Sequence, residues 1–241
     1  MNKGYKITFS QLGSRLDATY YSPLKSQITK IIEDYATKGL WSVATIGEVS
    51  ERVFFPNRFK RIYVSEEMGI PFLSGADITQ WDLVNVKHLS KNTEDLETLL
   101  VRKDWILITR SGTVGVVVKV PKFLDNIAVT EHVIRVIPNT TKIDPGYLYA
   151  LMNSEIGSAL LKPGIHGSVV DEITPEYIQS LKIPLLSMKE QKEIGRLVAE
   201  SDDCLTKAFD RVNSARRMLL EKVEGIGLNI HEISDEETEN D

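Results

Sequence analysis

Near its C-terminal end the chain places an apolar or small residue at intervals of 4, 3, 4, 3, 4, 3 and 4, at Ile194, Val198, Ser201, Leu205, Ala208, Val212, Ala215 and Leu219. A repeat averaging about 3.5 residues keeps one stripe on the same side of a helix, where a 3.6-residue pattern would drift around it. That is the pattern of a coiled-coil seam. Ser187 and Glu190 form a capping box that opens the helix, which is expected to run to about Gly225. From Met188 to Glu224, at about 1.5 Å per residue, it extends roughly 55 Å. A compact domain needs far less to cover its core, so the helix is expected to project outward. Ser201, Ala208 and Ala215 are small enough to admit a close partner helix. The alternative is a helix folded back on its own domain, beside residues 24–38.

Upstream, helical and strand periods alternate. Ser22-Pro23 reads as an N-cap followed by proline in the first turn, and Leu24, Ile28, Ile31, Ile32 and Tyr35 follow at helical spacing until Gly39. Short β-type runs follow near Val49–Phe55, Ile70–Leu73, Trp105–Thr109, Val114–Val120 and His132–Ile137, punctuated by Gly, Pro, Asn and Asp. They predict a mixed or antiparallel sheet. Asp144-Pro145 and Thr174-Pro175 repeat the cap-and-proline signal, with a second helix near Ile156–Leu161 between them. Leu181–Leu185 reads as a short strand ended by proline. The organisation expected is therefore α+β: a sheet-bearing domain over 1–186, a long helix over 187–225 and a tail over 226–241.

Charge and cysteine usage narrow the function classes. Six of the 34 acidic residues, Glu232, Asp235, Glu236, Glu237, Glu239 and Asp241, lie in the last eleven positions, which hold no Lys or Arg. The net charge of −5 therefore belongs to a solvated tail, and the body is near neutral. Neutrality neither requires nor excludes a nucleic-acid partner. A lone cysteine, Cys204, forms no internal disulfide, and neither a signal peptide nor a membrane-length apolar run is present, so a cytoplasmic location is expected. The sequence contains no Asn/Asp-Pro-Pro-aromatic methyltransferase tetrapeptide, no Gly-x-Gly-x-x-Gly and no phosphate-binding Gly-x-x-x-x-Gly-Lys loop. His88, His132, His166 and His231 are scattered without metal-ligand spacing, so no metal site is expected. Glu190-Gln191-Lys192 matches part of a nuclease motif but sits in a helical first turn, and Ser111 lacks a nucleophile elbow. No catalytic group and no cofactor are expected on this chain.

Two segments remain that could recognise a ligand. Between residues 52 and 63, Arg52, Arg58, Lys60 and Arg61 interleave with Phe54, Phe55, Phe59 and Tyr63. Cations in such a loop can contact phosphates, and arginine can also bond guanine edges. A basic surface loop pinned by core aromatics would read the same way. Arg110-Ser111-Gly112-Thr113-Val114-Gly115 is either a tight hairpin or a place where backbone approaches a ligand.

The order of several landmarks resembles the specificity subunit of type I restriction-modification systems, in a form with a single target-recognition domain. They are Leu16-Asp17-Ala18-Thr19-Tyr20-Tyr21-Ser22-Pro23, Ile70-Pro71-Phe72-Leu73-Ser74-Gly75-Ala76-Asp77-Ile78, and Asp104-Trp105-Ile106-Leu107-Ile108-Thr109-Arg110-Ser111-Gly112-Thr113-Val114-Gly115. Tyr147-Leu148, Gly164-Ile165-His166-Gly167-Ser168 and Ile183-Pro184-Leu185 ahead of Glu190-Gln191-Lys192-Glu193-Ile194 follow in the same order. The resemblance covers about residues 5–225.

It implies an α+β, mixed or antiparallel-sheet target-recognition domain followed by one long coiled-coil spacer helix. The domain would read half of a split site in double-stranded DNA. Methyl transfer and restriction or translocation would fall to partner subunits, which would carry S-adenosylmethionine, ATP and Mg. The DNA-contact residues then expected are Arg52, Arg58, Lys60, Arg61, Arg110, Ser111 and Thr113, with Lys162, His166 and Ser168 adding polar contacts. Ile194, Val198, Leu205, Ala208, Val212, Ala215 and Leu219 would pair two copies as a homodimer, because the resembled family sets two such helices antiparallel. Two other readings stay open: a recognition module of a different restriction or phage-defence enzyme, and a protein-interaction scaffold or DNA-mimic inhibitor, for which the acidic tail speaks.

Overall fold

The structure is a computed structural model that describes Lys6 and residues 23–162 and 172–224. The expected DNA contacts His166 and Ser168, the cap Ser22 and the acidic tail lie outside the described residues. Among those described, helix α1 (Pro23–Thr37) leads into β1 (Ser42–Thr45), β2 (Ser50–Phe54), β3 (Tyr63–Val64), β4 (Gly69–Leu73), β5 (Lys87–Ser90) and the single turn α2 (Leu96–Leu99). Strands β6 (Ile106–Thr109), β7 (Val117–Lys119), β8 (Ala128–Val129) and β9 (Val133–Pro138) follow. The chain closes with α3 (Pro145–Met152), α4 (Glu155–Leu161), α5 (Pro175–Gln179), β10 (Lys182–Leu185) and α6 (Met188–Glu224).

The other three expected caps are present. The Asp144 carboxylate accepts from the Tyr147 amide at 3.0 Å, the Thr174 hydroxyl accepts from the Tyr177 amide at 3.3 Å, and Ser187 and Glu190 bond reciprocally. These bonds join residues three apart, which sequence determines directly. Strand lengths follow less closely. The expected strand Val114–Val120 shortens to β7 because Gly112 and Gly115 take positive φ, so residues 110–116 form the turn. Pro184 does not end its strand but lies inside β10 opposite Val43, in a two-stranded ladder where a missing N–H is tolerated.

Three sheets result. The order β2-β9-β6-β7 is antiparallel throughout, β3-β5-β4-β8 joins β4 and β8 in parallel, and β1 pairs with β10. Alternation along the central strands assigns the cores. Ile106, Ile108, Ile134 and Val136 face a cluster completed by Tyr147, Leu148, Leu160 and Ile178 from the helices. Leu107 and Val133 point the other way, into a cluster with Leu73, Val101, Leu124 and Val129. The β2-β9-β6-β7 sheet is therefore covered on both faces, which is why β6 is buried along its whole length.

The long helix departs from expectation. It forms over Met188–Glu224 but does not project free of the domain, nor does it lie beside residues 24–38. Gly195 meets Gly146 of α3 so closely that a Cβ at Gly146 would lie 2.7 Å from the Gly195 Cα. Further along, Asp202 pairs with Lys119 at 2.5 Å, Phe209 stacks on Phe123 with centroids 4.5 Å apart, and Arg216 pairs with Asp82 at 2.7 Å. These four positions recur every seven residues, a second stripe one residue round from the expected seam. Ile194, assigned to that seam, packs against the main core. Leu205 and Leu219 remain 37% and 62% exposed.

Candidate nucleic-acid interface

The basic loop follows β2, an edge strand. Buried Pro56 and the half-buried Phe59 ring, edge-on to Phe72 at 6.1 Å, pin it from beneath. Its four cations then divide by environment. The Arg52 guanidinium lies over the Phe54 ring at 4.0 Å. Arg58 and Lys60 point outward, exposed, and make no ion pair among the described residues. Arg61 turns in: its guanidinium meets both oxygens of Glu131, at 2.6 and 2.9 Å, and lies over Phe59. Both contacts come from Nη2, so Nη1 and Nε keep their donors, and the side chain is 34% exposed.

The glycine turn 110–115 is the second segment named from sequence. Here too one cation is engaged, since Arg110 pairs with Glu172 at 2.8 Å and sits over Phe55 at 4.0 Å, with its side chain only 15% exposed. Arg110 braces two chain segments rather than presenting a free charge. Ser111 and Thr113 instead line a cleft of about 820 Å³ whose other walls include Arg61, Tyr63, Phe72, Ser74 and His132. The fold thus joins one residue of the basic loop to two of the glycine turn. Lys162 is exposed at the end of α4 and lines a separate groove with Ile28 and Ile156.

The cleft's floor was not foreseen. Thr130, Glu131 and His132 link β8 to β9, and the amide of Arg110 donates to the His132 carbonyl at 2.9 Å, holding the two turns together. Ser111 Oγ lies 2.8 Å from His132 Nδ1, and His132 Nε2 lies 3.6 Å from Glu131 Oε1. Burial pushes the Glu131 carboxyl up, but its own backbone N–H, the Thr130 hydroxyl, Arg61 and His132 together outweigh burial and hold it below the ordinary glutamate value. Its charge therefore persists at neutral pH. The only hint in the sequence is a glutamate followed by a histidine between two apolar strands, which is where a satisfied interior carboxylate would also sit.

A hydroxyl, an imidazole and a carboxylate in succession could in principle move a proton. Here the short contacts of the carboxylate are to Arg61 at 2.6 Å and Thr130 at 3.0 Å, while His132 Nε2 lies beyond hydrogen-bond distance of it. Among the described residues no cluster of three His, Cys, Asp or Glu side chains could hold a metal ion, and no helix is long and apolar enough to cross a membrane.

Comparison with known proteins agrees on one family. The family model described as Type I restriction modification DNA specificity domain matches residues 38–208. A chain from a structural study of complex assembly and conformational transition of the type I R-M system superposes with a TM-score of 0.50 at 16% identity, covering 83% of this chain and 50% of that one. The type I restriction-modification S subunit from M. genitalium gives 0.50 at 15% identity, over 76% of this chain and 45% of that one. At such identities the likeness is one of fold, and this chain spans about half the length of those two. No curated protein matches.

Proposed function

Since the chain belongs to the type I restriction modification DNA specificity family, we propose that it binds double-stranded DNA sequence-specifically and directs partner subunits to it. Methyl transfer and DNA cleavage or translocation would be performed by those partners, which would carry S-adenosylmethionine, ATP and Mg, while this chain supplies recognition only. The observation that carries this reading is the pair Arg58 and Lys60, exposed cations that make no ion pair among the described residues, on an aromatic-pinned loop that leads into the cleft. A cation that balanced the protein's own charge would be paired, as Arg61 and Arg110 are.

Replacing Arg58 and Lys60 with alanine is expected to weaken duplex binding about tenfold at moderate salt. It should also flatten the dependence of log affinity on log salt by about 0.9 for each phosphate no longer neutralised. Anisotropy titrations over a range of salt measure both. A folded double variant with unchanged affinity and salt slope would remove the loop from the interface.

The same reading includes self-association through α6. Leu197, Met218 and Leu219 are 58%, 58% and 62% exposed on α6, where Leu205 and Leu220 are exposed as well. A second copy would cover them, and a two-fold pair would read two identical half-sites related by inversion. Met218→Glu with Leu219→Glu is expected to turn dimers into folded monomers in sedimentation experiments. A wild-type chain that stays monomeric at tens of micromolar, alone and with DNA, rules the pairing out.

A further inference from the structure

We infer that the Glu131–His132 pair sets Ser111 as a hydrogen-bond acceptor, so that the cleft selects a base presenting an exocyclic amino group, adenine N6 or cytosine N4. This deepens the DNA-binding reading and rests on it. Part of the cleft's polar lining is already turned to the protein. Thr109 donates its hydroxyl proton to the Thr113 carbonyl and accepts from the Val116 amide, Thr79 donates to the Ala76 carbonyl, Thr130 donates to Glu131, and Arg61 is held by Glu131. Ser111, half-buried on the glycine turn, is bonded to an imidazole, and its role toward a ligand depends on which partner in that bond gives the proton.

Geometry decides the direction. In neutral imidazole one nitrogen donates and the other accepts. In the neutral imidazole an unprotonated Nε2 would set its lone pair against the Glu131 carboxylate 3.6 Å away, so the tautomer protonated at Nε2 is the favoured one. Nδ1 then accepts, and the Ser111 hydroxyl donates its only proton to it across 2.8 Å. What Ser111 Oγ offers the cleft is lone pairs. The carboxylate that enforces this is fixed in turn, 5% exposed and gripped by Arg61 at 2.6 Å and Thr130 at 3.0 Å. In the major groove the donors are adenine N6 and cytosine N4, while guanine O6 and thymine O4 accept. Set against a keto oxygen, Ser111 would face a second acceptor and both would go unpaired. Ser111 is the specificity-determining residue and His132 its positioning residue.

The test uses the full chain. A duplex bound by the wild type is selected from a random library, and each adenine is replaced singly by purine and each cytosine by 2-pyrimidinone, which lack only the amino group. Every base pair carries one such group in the major groove, so every position is probed. The wild type is expected to lose roughly 5- to 10-fold in affinity at one position beyond the loss shared by neighbouring positions, the size of one hydrogen bond. Ser111→Ala should abolish that excess. His132→Ala frees the Ser111 proton, and it should let the position accept a keto base as well as an amino base rather than weakening all sequences alike. Absence of any amine-sensitive position, or an excess that survives Ser111→Ala, overturns the inference while leaving DNA binding intact. A wild type that binds no duplex overturns the functional reading and this inference together.

Discussion

Arg135→Ala is expected to destabilise the protein by on the order of 4 kcal/mol, a large share of the roughly 5–15 kcal/mol that typically holds a domain folded. Arg135 is fully buried at the middle of β9, where alternation would place an apolar residue. Its Nη1 donates to the carbonyls of Thr130 at 2.9 Å and Val133 at 2.5 Å, and its Nη2 donates to those of Val129 at 2.5 Å and Leu99 at 3.3 Å. Three of these carbonyls belong to the chain running into and out of Glu131 and His132, so one guanidinium holds the turn that floors the cleft. Burial pushes its pKa down to about 9, opposed by the charge of Glu131, and it remains cationic at neutral pH.

Alanine leaves four carbonyls without their donor, each costing about 1–3 kcal/mol where water cannot reach, and opens a cavity besides. Lysine keeps the charge but concentrates its donors on one atom, and should recover only part of the loss. Urea unfolding should show a lower midpoint with an unchanged slope. An alanine variant within about 1 kcal/mol of wild type would mean that those carbonyls are satisfied without the guanidinium.

Gly195→Val should lower Tm by roughly 10 °C, from a loss of about 3 kcal/mol. A Cβ at Gly195 runs into the Asp144 carboxylate, and that carboxylate caps α3 through the Tyr147 amide at 3.0 Å. The neighbourhood has no slack. The Asp144 amide donates to Gln191 Oε1 at 2.9 Å, Gln191 Nε2 donates to the Leu186 carbonyl at 2.8 Å, and Gln191 is 1% exposed. The variant must either break the cap, at about 1 kcal/mol, or lift α6 from α3, and overpacking adds about 1–3 kcal/mol. Calorimetry settles it; an unshifted Tm would show that the helices separate at little cost.

The caps and the helix they open were legible in the sequence because they are local. Asp144 with Tyr147, Thr174 with Tyr177, and Ser187 with Glu190 act across three residues, and no distant partner is needed to form them. The heptad spacing of α6 likewise established that it carries a stripe, and the succession of short apolar runs established an α+β chain. What covers the stripe was not determined, because a periodicity describes one surface and is silent about its neighbour. Gly195, Asp202, Phe209 and Arg216, one position round from the expected seam, meet their own domain instead. The cations show the same limit. Arg58, Lys60, Arg61 and Arg110 are alike as sequence, yet Arg61 and Arg110 are held by Glu131 and Glu172, residues 70 and 62 positions away. Only the tertiary structure could separate free charge from paired charge. The electrostatic energy of a side chain depends on which charge lies within a few ångströms in space, and chain folding, not chain order, sets that distance.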